Sequence, residues 1–166
     1  MLRVFSEGDD VFRLEDSAGA HIGTIRGRTI TINGFPSETA ARDAAVVAWK
    51  AMNDALRREF PSWPHYEVAR ERLVTTHDGA YDWFFDGTKA IARLVRPWPI
   101  GRERAFAIEL VLPSYASEGV AIMASHGIAR AVAPYRDSTP NDASTLGLEP
   151  AVSIAPAESM ATASPA

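Results

Sequence analysis

The sequence predicts an α+β fold of two antiparallel β-meander-plus-helix units, packed as one compact body and followed by a disordered C-terminal tail. Two observations predict the body: strand-like alternation gives way to an Ala-rich helical pattern twice, and each helical pattern begins at a Pro-Ser pair. A change of composition near Asp137 predicts the tail. We expect the first unit over residues 1–60, the second over residues 61–136 and the tail over residues 137–166, with the two units forming one composite domain.

Charge separates the body from the tail. All 17 Lys and Arg residues lie before Asp137, as do 17 of the 21 Asp and Glu residues, so the body is neutral and the tail carries the net charge of −4. The tail is rich in Ala, Ser, Thr and Pro and has no aromatic residue. Such a segment buries too little apolar surface to offset an ordering cost of about 1–2 kcal/mol per residue, which predicts disorder.

The first unit begins with short strands separated by polar turns. Residues 2–5 and 11–15 are strand candidates, and residues 21–33 are predicted to form a hairpin with Gly27-Arg28 as its loop. Glycine at the first loop position suits a type II′ turn. The hairpin places Ile25 opposite Ile30 and predicts Ile25, Ile30 and Ile32 on one face, with Ile22 at the end of the other face.

A long helix is predicted from Glu38 to about Arg58, with Ser37 as its N-cap. Spacings of three and four residues place one apolar stripe along it. Most of the stripe is alanine, which predicts that the helix lies close to a sheet. The stripe consists of Ala41, Ala44, Ala45, Ala48, Met52, Ala55 and Leu56.

The second unit is predicted to begin with a short helix over residues 65–75. A hairpin follows, with strands over residues 81–85 and 88–96 and a type I′ turn at Asp86-Gly87. After a loop over residues 97–104 we expect a strand over residues 105–112 and a second helix over residues 114–132. The repeated order of elements has two explanations, an ancient duplication and the independent use of a common arrangement, and the second is slightly favoured.

The hairpin of the second unit supplies the candidate interface. Pairing about Asp86-Gly87 predicts Tyr81, Trp83, Phe85, Ala90, Ala92 and Leu94 on one face. The other face would carry Phe84, Ile91 and Val95 beside Asp82, Lys89 and Arg93. A sheet covered on one side should not be apolar on both, so either intramolecular packing or a partner must cover the second face. The candidate interface residues are Trp83, Phe84, Ile91, Val95 and Trp98.

A nucleic-acid-binding surface is the alternative. Arg26 and Arg28 stand at the tip of the first hairpin, and Arg13 is on a neighbouring strand. A sheet followed by a helix is the arrangement of some modules that lay a sheet in the major groove of DNA, where arginine reads base edges. The neutrality of the body argues against strong attraction to phosphate.

An enzyme acting on a small molecule is the least favoured hypothesis. Its candidates are His77, Asp78, Asp82 and His126, which would have to meet in one pocket. His77 and Asp78 are expected in a turn, whereas Asp82 and Asp86 should share one face of a strand. The sequence has no recognised catalytic or phosphate-binding motif, and we expect no metal and no cofactor.

Composition excludes some classes of protein and sets the expected location. The absence of cysteine excludes disulfide scaffolds and thiol chemistry. No signal peptide or membrane span is expected, which favours the cytoplasm. The 15 Arg against 2 Lys residues favour a GC-rich bacterial genome, the alternative being selection for bidentate contacts to phosphate or carboxylate. We therefore expect a non-catalytic cytosolic interaction or regulatory module that forms a homodimer or binds another protein.

Overall fold

The structure is a computed structural model, and it describes residues 1–78, 81–96 and 105–136. These residues form one antiparallel sheet of eight strands in the order β1-β2-β3-β4-β8-β7-β6-β5, together with two helices. The strands are β1 (Arg3–Ser6), β2 (Val11–Glu15), β3 (His21–Arg26), β4 (Thr29–Phe35), β5 (Leu73–Asp78), β6 (Tyr81–Asp86), β7 (Lys89–Val95) and β8 (Phe106–Val111). The helices are α1 (Glu38–Glu59) and α2 (Glu118–Val132).

The predicted α+β class is confirmed, and the two halves share a single sheet. Each half supplies four strands and then one helix, and the halves meet where β4 pairs with β8. The strand order is therefore symmetric about the β4–β8 pair. The predicted tail over residues 137–166 lies outside the described residues.

Helix α1 matches its prediction closely. All seven residues of the predicted stripe are buried. Ser37 is the N-cap, and its Oγ accepts a hydrogen bond from the backbone N–H of Ala40 at 3.1 Å. Glu38 in the first turn and Arg57 with Arg58 in the last turn complement the helix dipole.

Helix α2 starts later than predicted. Its N-cap is Ser117, whose Oγ accepts from the N–H of Val120, whereas Pro113 opens a turn closed by the N–H of Ala116. Aligning Ser37 with Ser117 superposes buried positions of the two helices. The superposed pairs are Ala41 with Ala121, Ala44 with Ala124, Ala45 with Ser125, Ala48 with Ile128, and Met52 with Val132. Duplication of a four-strand-plus-helix unit would produce this correspondence.

Each helix packs largely on strands of the other half. α1 follows β4 but lies mainly on β7 and β8, while α2 follows β8 and lies on β3 and β4. The helices also pack against each other, and a Cβ built at Gly127 would lie 3.7 Å from the Cβ of Ala51. Neither half therefore contains a complete core of its own.

The β3–β4 hairpin has the predicted register. Arg26 pairs with Thr29, Ile25 with Ile30 and Gly23 with Ile32. Gly27 has a φ of 63°, which glycine tolerates at the first loop position.

The predicted register of the β6–β7 hairpin is wrong. Its loop is Gly87-Thr88, and Phe85 pairs with Ala90 while Phe84 pairs with Ala92. Ile91 is an extra residue in β7, a β-bulge that reverses the alternation of faces beyond it. Ala92 and Leu94 therefore join Phe84 on the helix-covered face, and Arg93 and Val95 join Trp83 on the other.

The predicted helix over residues 65–75 is also wrong. Residues 62–69 have no regular secondary structure, Arg70–Arg72 form one 3₁₀ turn, and β5 follows as an edge strand of the sheet. His77 consequently lies on a strand rather than in a turn. β5 therefore makes cross-strand contacts with β6 that a helix at this position could not make.

The core lies between the sheet and the two helices. Its largest fully buried side chains include Phe35, Phe84, Leu14, Ile30 and Ile108. None of the described helices is long and apolar enough to cross a bilayer.

Candidate interaction surface

The sheet has a second face, opposite to the helices, that carries an apolar surface. Phe84 marks the inner face, because it is fully buried and the Arg42 guanidinium of α1 lies 5.2 Å from its ring centroid. Side chains alternate along β6, so Tyr81, Trp83 and Phe85 lie on the outer face. Cross-strand pairing extends this surface from β5 to β8. We call it the outer apolar patch: Val74, Tyr81, Trp83, Phe85, Val95 and Val111.

Half of the outer apolar patch is strongly exposed. Val74 and Val111 are each 57% exposed and Tyr81 is 51% exposed, while the other three members are half-buried. The ring centroids of Trp83 and Phe85 are 6.4 Å apart. Single exposed apolar residues are ordinary, but several aromatic and aliphatic side chains on one sheet face are typical of an interaction site.

One ion pair lies within this patch. Arg93 Nε–H donates to Glu109 Oε1 at 2.8 Å, and the Arg93 guanidinium lies 4.2 Å from the Tyr81 ring centroid. The hydrogen bond to Glu109 raises the pKa of Arg93, so the pair stays ionised. Because the charges compensate each other, the patch presents no net charge to a partner.

The predicted interface residues do not form one surface. Trp83 and Val95 lie on the outer face, as part of the outer apolar patch. Phe84 is fully buried and Ile91 is 3% exposed, so both belong to the intramolecular core. Trp98 lies outside the described residues. Val74 was missed because β5 was predicted to be helical, although its run of β-branched residues is a strand signal.

The predicted nucleic-acid contacts lie on the other half of the sheet. Arg13 is held by Glu7 at 3.6 Å and by Glu15 at 2.5 Å. Arg26 and Arg28 are exposed at the β3–β4 tip, where neither forms an ion pair with a described residue. Two exposed guanidinium groups remain, which is a small basic surface for phosphate binding.

A polar cluster fills the inner face where β5 and β6 pair. His77 Nδ1 lies 2.6 Å from Asp82 Oδ1, and Arg96 donates to the other carboxylate oxygen. These contacts lower the pKa of Asp82, the hydrogen bond with His77 contributing most. Arg96 also pairs with Glu38 on α1 at 3.2 Å. The cluster therefore joins the C-terminal strands to the first turn of α1.

A second carboxylate on β6 is held in a similar way. Arg72 binds Asp86 through Nη2 at 3.0 Å, and this contact is the main cause of a lowered pKa at Asp86. Asp82 and Asp86 share the inner face as predicted, and both are nearly buried. Each is satisfied by arginine, which is how an ionised carboxylate tolerates such a position.

The structure contains only part of the geometry that the enzyme hypothesis requires. His77 and Asp82 are in contact, and the exposed imidazole could act as a base through Nε2. His126 lies on α2, and neither His77 nor Asp82 lines the cleft between α1 and residues 65–68. Among the described residues, no three His, Asp or Glu side chains are placed to hold a metal ion.

Comparison with protein-family models, curated proteins and solved structures found no match to this chain.

Proposed function

We propose that this protein is a non-catalytic interaction module that self-associates through the outer apolar patch. The observation that carries the proposal is the placement of Val74, Tyr81 and Val111, each more than half exposed, on the sheet face opposite to both helices. Covering such a surface is favourable by about 25 cal/mol per Å² of apolar area. The cytoplasm is the compartment we propose, since a chain without cysteine fits a reducing environment.

A second copy of the chain is the occupant that we favour. The Arg93–Glu109 pair neutralises the patch, so two copies do not repel each other when the patches face. Two sheets pack face to face at about 10 Å, with their side chains interleaved. A twofold dimer needs only a surface complementary to itself, and an uncharged aromatic and aliphatic surface meets that need. A heterologous protein that binds the same patch is the next candidate.

Single-stranded nucleic acid is the other class of ligand that stacks on sheet aromatics. Such sites combine aromatic platforms with a positively charged groove. Here Arg93 and Arg13 are each paired with a carboxylate, and among the described residues Arg26 and Arg28 at the β3–β4 tip are the unpaired cations beside the face. Salt distinguishes the two ligands, because nucleic-acid binding weakens steeply with salt whereas apolar association does not.

Paired lysine substitutions test the assignment. Val74→Lys places a charge inside the outer apolar patch, and Thr24→Lys places the same charge on the polar half of the same face. In sedimentation velocity over a range of concentrations, we expect Val74→Lys to dissociate the dimer and Thr24→Lys to leave it intact. Equal behaviour of the two variants, or a dimer that dissociates with added salt, would contradict a patch-mediated dimer.

A further inference from the structure

A cleft of about 210 Å³ lies between α1 and the chain that follows it. After α1 the backbone reverses and runs back along the helix. Three contacts fix its course: Trp63 Nε1–H donates to Asn53 Oδ1 at 2.6 Å, Trp49 Nε1–H donates to the Tyr66 carbonyl at 3.3 Å, and Arg70 pairs with Asp43. Trp63, Tyr66 and Arg70 thus contact residues progressively earlier in α1. The segment after α1 therefore runs antiparallel to the helix and is held against it along its length.

One wall of the cleft is aromatic. Trp49 and Tyr66 meet edge to face, with centroids 6.4 Å apart, and Val46 and Val68 add aliphatic surface beside them. The Lys89 ammonium lies 5.0 Å from the Tyr66 centroid and 5.7 Å from that of Trp49. Lys89 therefore already makes the cation–π contacts with these two rings that a cationic ligand would need.

Two cations also line the cleft. Lys50 and Arg57 both line the cleft, and both bind the single carboxylate of Asp54, at 3.1 Å and 2.5 Å. His65 and Glu67 also line the cleft. Asp54 takes one hydrogen bond from each of the two cations, so both keep further N–H donors for the carboxylate of a ligand.

We propose that this cleft binds a small aromatic carboxylate. The ring would lie against Trp49 and Tyr66, and the carboxylate would accept hydrogen bonds from Lys50 and Arg57. The volume is below the roughly 300–1,000 Å³ of sites for drug-sized ligands, so the ligand carries one ring or a compact pair of rings. The site is on the helix side of the sheet and does not depend on self-association.

The test compares three probes of similar size by NMR chemical-shift titration of the full chain: benzoate, benzyl alcohol and benzylamine. Benzoate should bind at least about tenfold more tightly than the neutral probe, and the cationic probe should bind least. Lys50→Gln and Arg57→Gln should each weaken benzoate by roughly fivefold or more, which corresponds to about 1 kcal/mol. Arg28→Gln, at the distant β3–β4 tip, should leave the affinity unchanged.

Either of two results would overturn the site. The first is no shift of cleft resonances at about 10 mM benzoate, a concentration at which a binding free energy as weak as about −3 kcal/mol is detected. The second is equal affinity for all three probes, or for the wild type and both cleft variants. Lys50 is largely exposed, so loss of binding in Lys50→Gln is not explained by failure to fold.

Discussion

Phe84 and Phe85 are adjacent in the chain and lie on opposite faces of the sheet. Phe84 is fully buried beneath α1, where Arg42 covers its ring, whereas Phe85 lies beside Trp83 on the outer face. The β-bulge at Ile91 continues this division into β7, because it directs Ala92 and Leu94 inward and Arg93 and Val95 outward. Phe84 therefore belongs to the core, whereas Phe85 belongs to the surface that we propose binds a partner.

Truncating these two rings should have different consequences. Phe84→Ala removes a fully buried ring and should lower the free energy of unfolding by about 3–5 kcal/mol. Phe85→Ala should lower it by less in the monomer, since Phe85 is only partly buried, and should instead weaken self-association. Urea denaturation of dilute protein measures the first effect and sedimentation velocity the second. Equal destabilisation by both substitutions would contradict the assignment of faces.

Gly23 on β3 marks a close approach between strands. A Cβ built there would lie 2.0 Å from the carbonyl oxygen of Thr31, a backbone atom that cannot move without disturbing β4. Gly23→Ala should therefore lower the free energy of unfolding by at least about 1–3 kcal/mol, the usual cost of overpacking. Gly119→Ala in the first turn of α2 meets only Ser117 Oγ at 3.7 Å, and it should be neutral or stabilising. A Gly23→Ala variant as stable as the wild type would contradict the close contact between β3 and β4 at this residue.

The Arg72–Asp86 pair predicts a pH dependence of stability with a defined sign. The pKa of Asp86 is lowered in the folded protein from an ordinary value of 3.8, so the folded state favours the carboxylate. The stabilisation is complete above about pH 4 and is lost as the pH falls below it through the folded pKa. The difference in unfolding free energy between wild type and Asp86→Asn should thus shrink on acidification.

Arg72→Gln supplies the control for this pH dependence. Removing the guanidinium lets the pKa of Asp86 rise towards its ordinary value, so part of the acid-dependent loss of stability should disappear. Chemical denaturation at a series of pH values measures both variants. If the wild type and Asp86→Asn differ by the same amount at every pH, the ion pair does not stabilise the fold.

Regular local patterns allowed much of the fold to be predicted. The Ala stripe of α1 repeats at helical spacing over about four turns, and Ser37 supplies an unambiguous cap. The β3–β4 register follows from a single glycine at the loop position that requires it. In these segments local preference and tertiary packing favour the same structure.

The remaining segments were mispredicted for physical reasons. Tyr66, Ala69 and Leu73 happen to have helical spacing, but the β-branched run from Val74 to Thr76 pairs with β6 and forms an edge strand. The bulge at Ile91 has no local sequence signal, so the residues of β7 after it were predicted on the wrong faces. The contact between His77 and Asp82 depends on β5 and was missed with it. In each case long-range pairing overrides a local pattern.

The mass of the wild-type chain in solution tests the central claim most directly. Size-exclusion chromatography with light scattering, repeated at low and high salt, should give twice the chain mass of 18.0 kDa, with no loss of dimer in high salt. A mass of 18.0 kDa at every concentration up to about 1 mM, where even an association of about −4 kcal/mol is detected, would contradict self-association through the outer apolar patch.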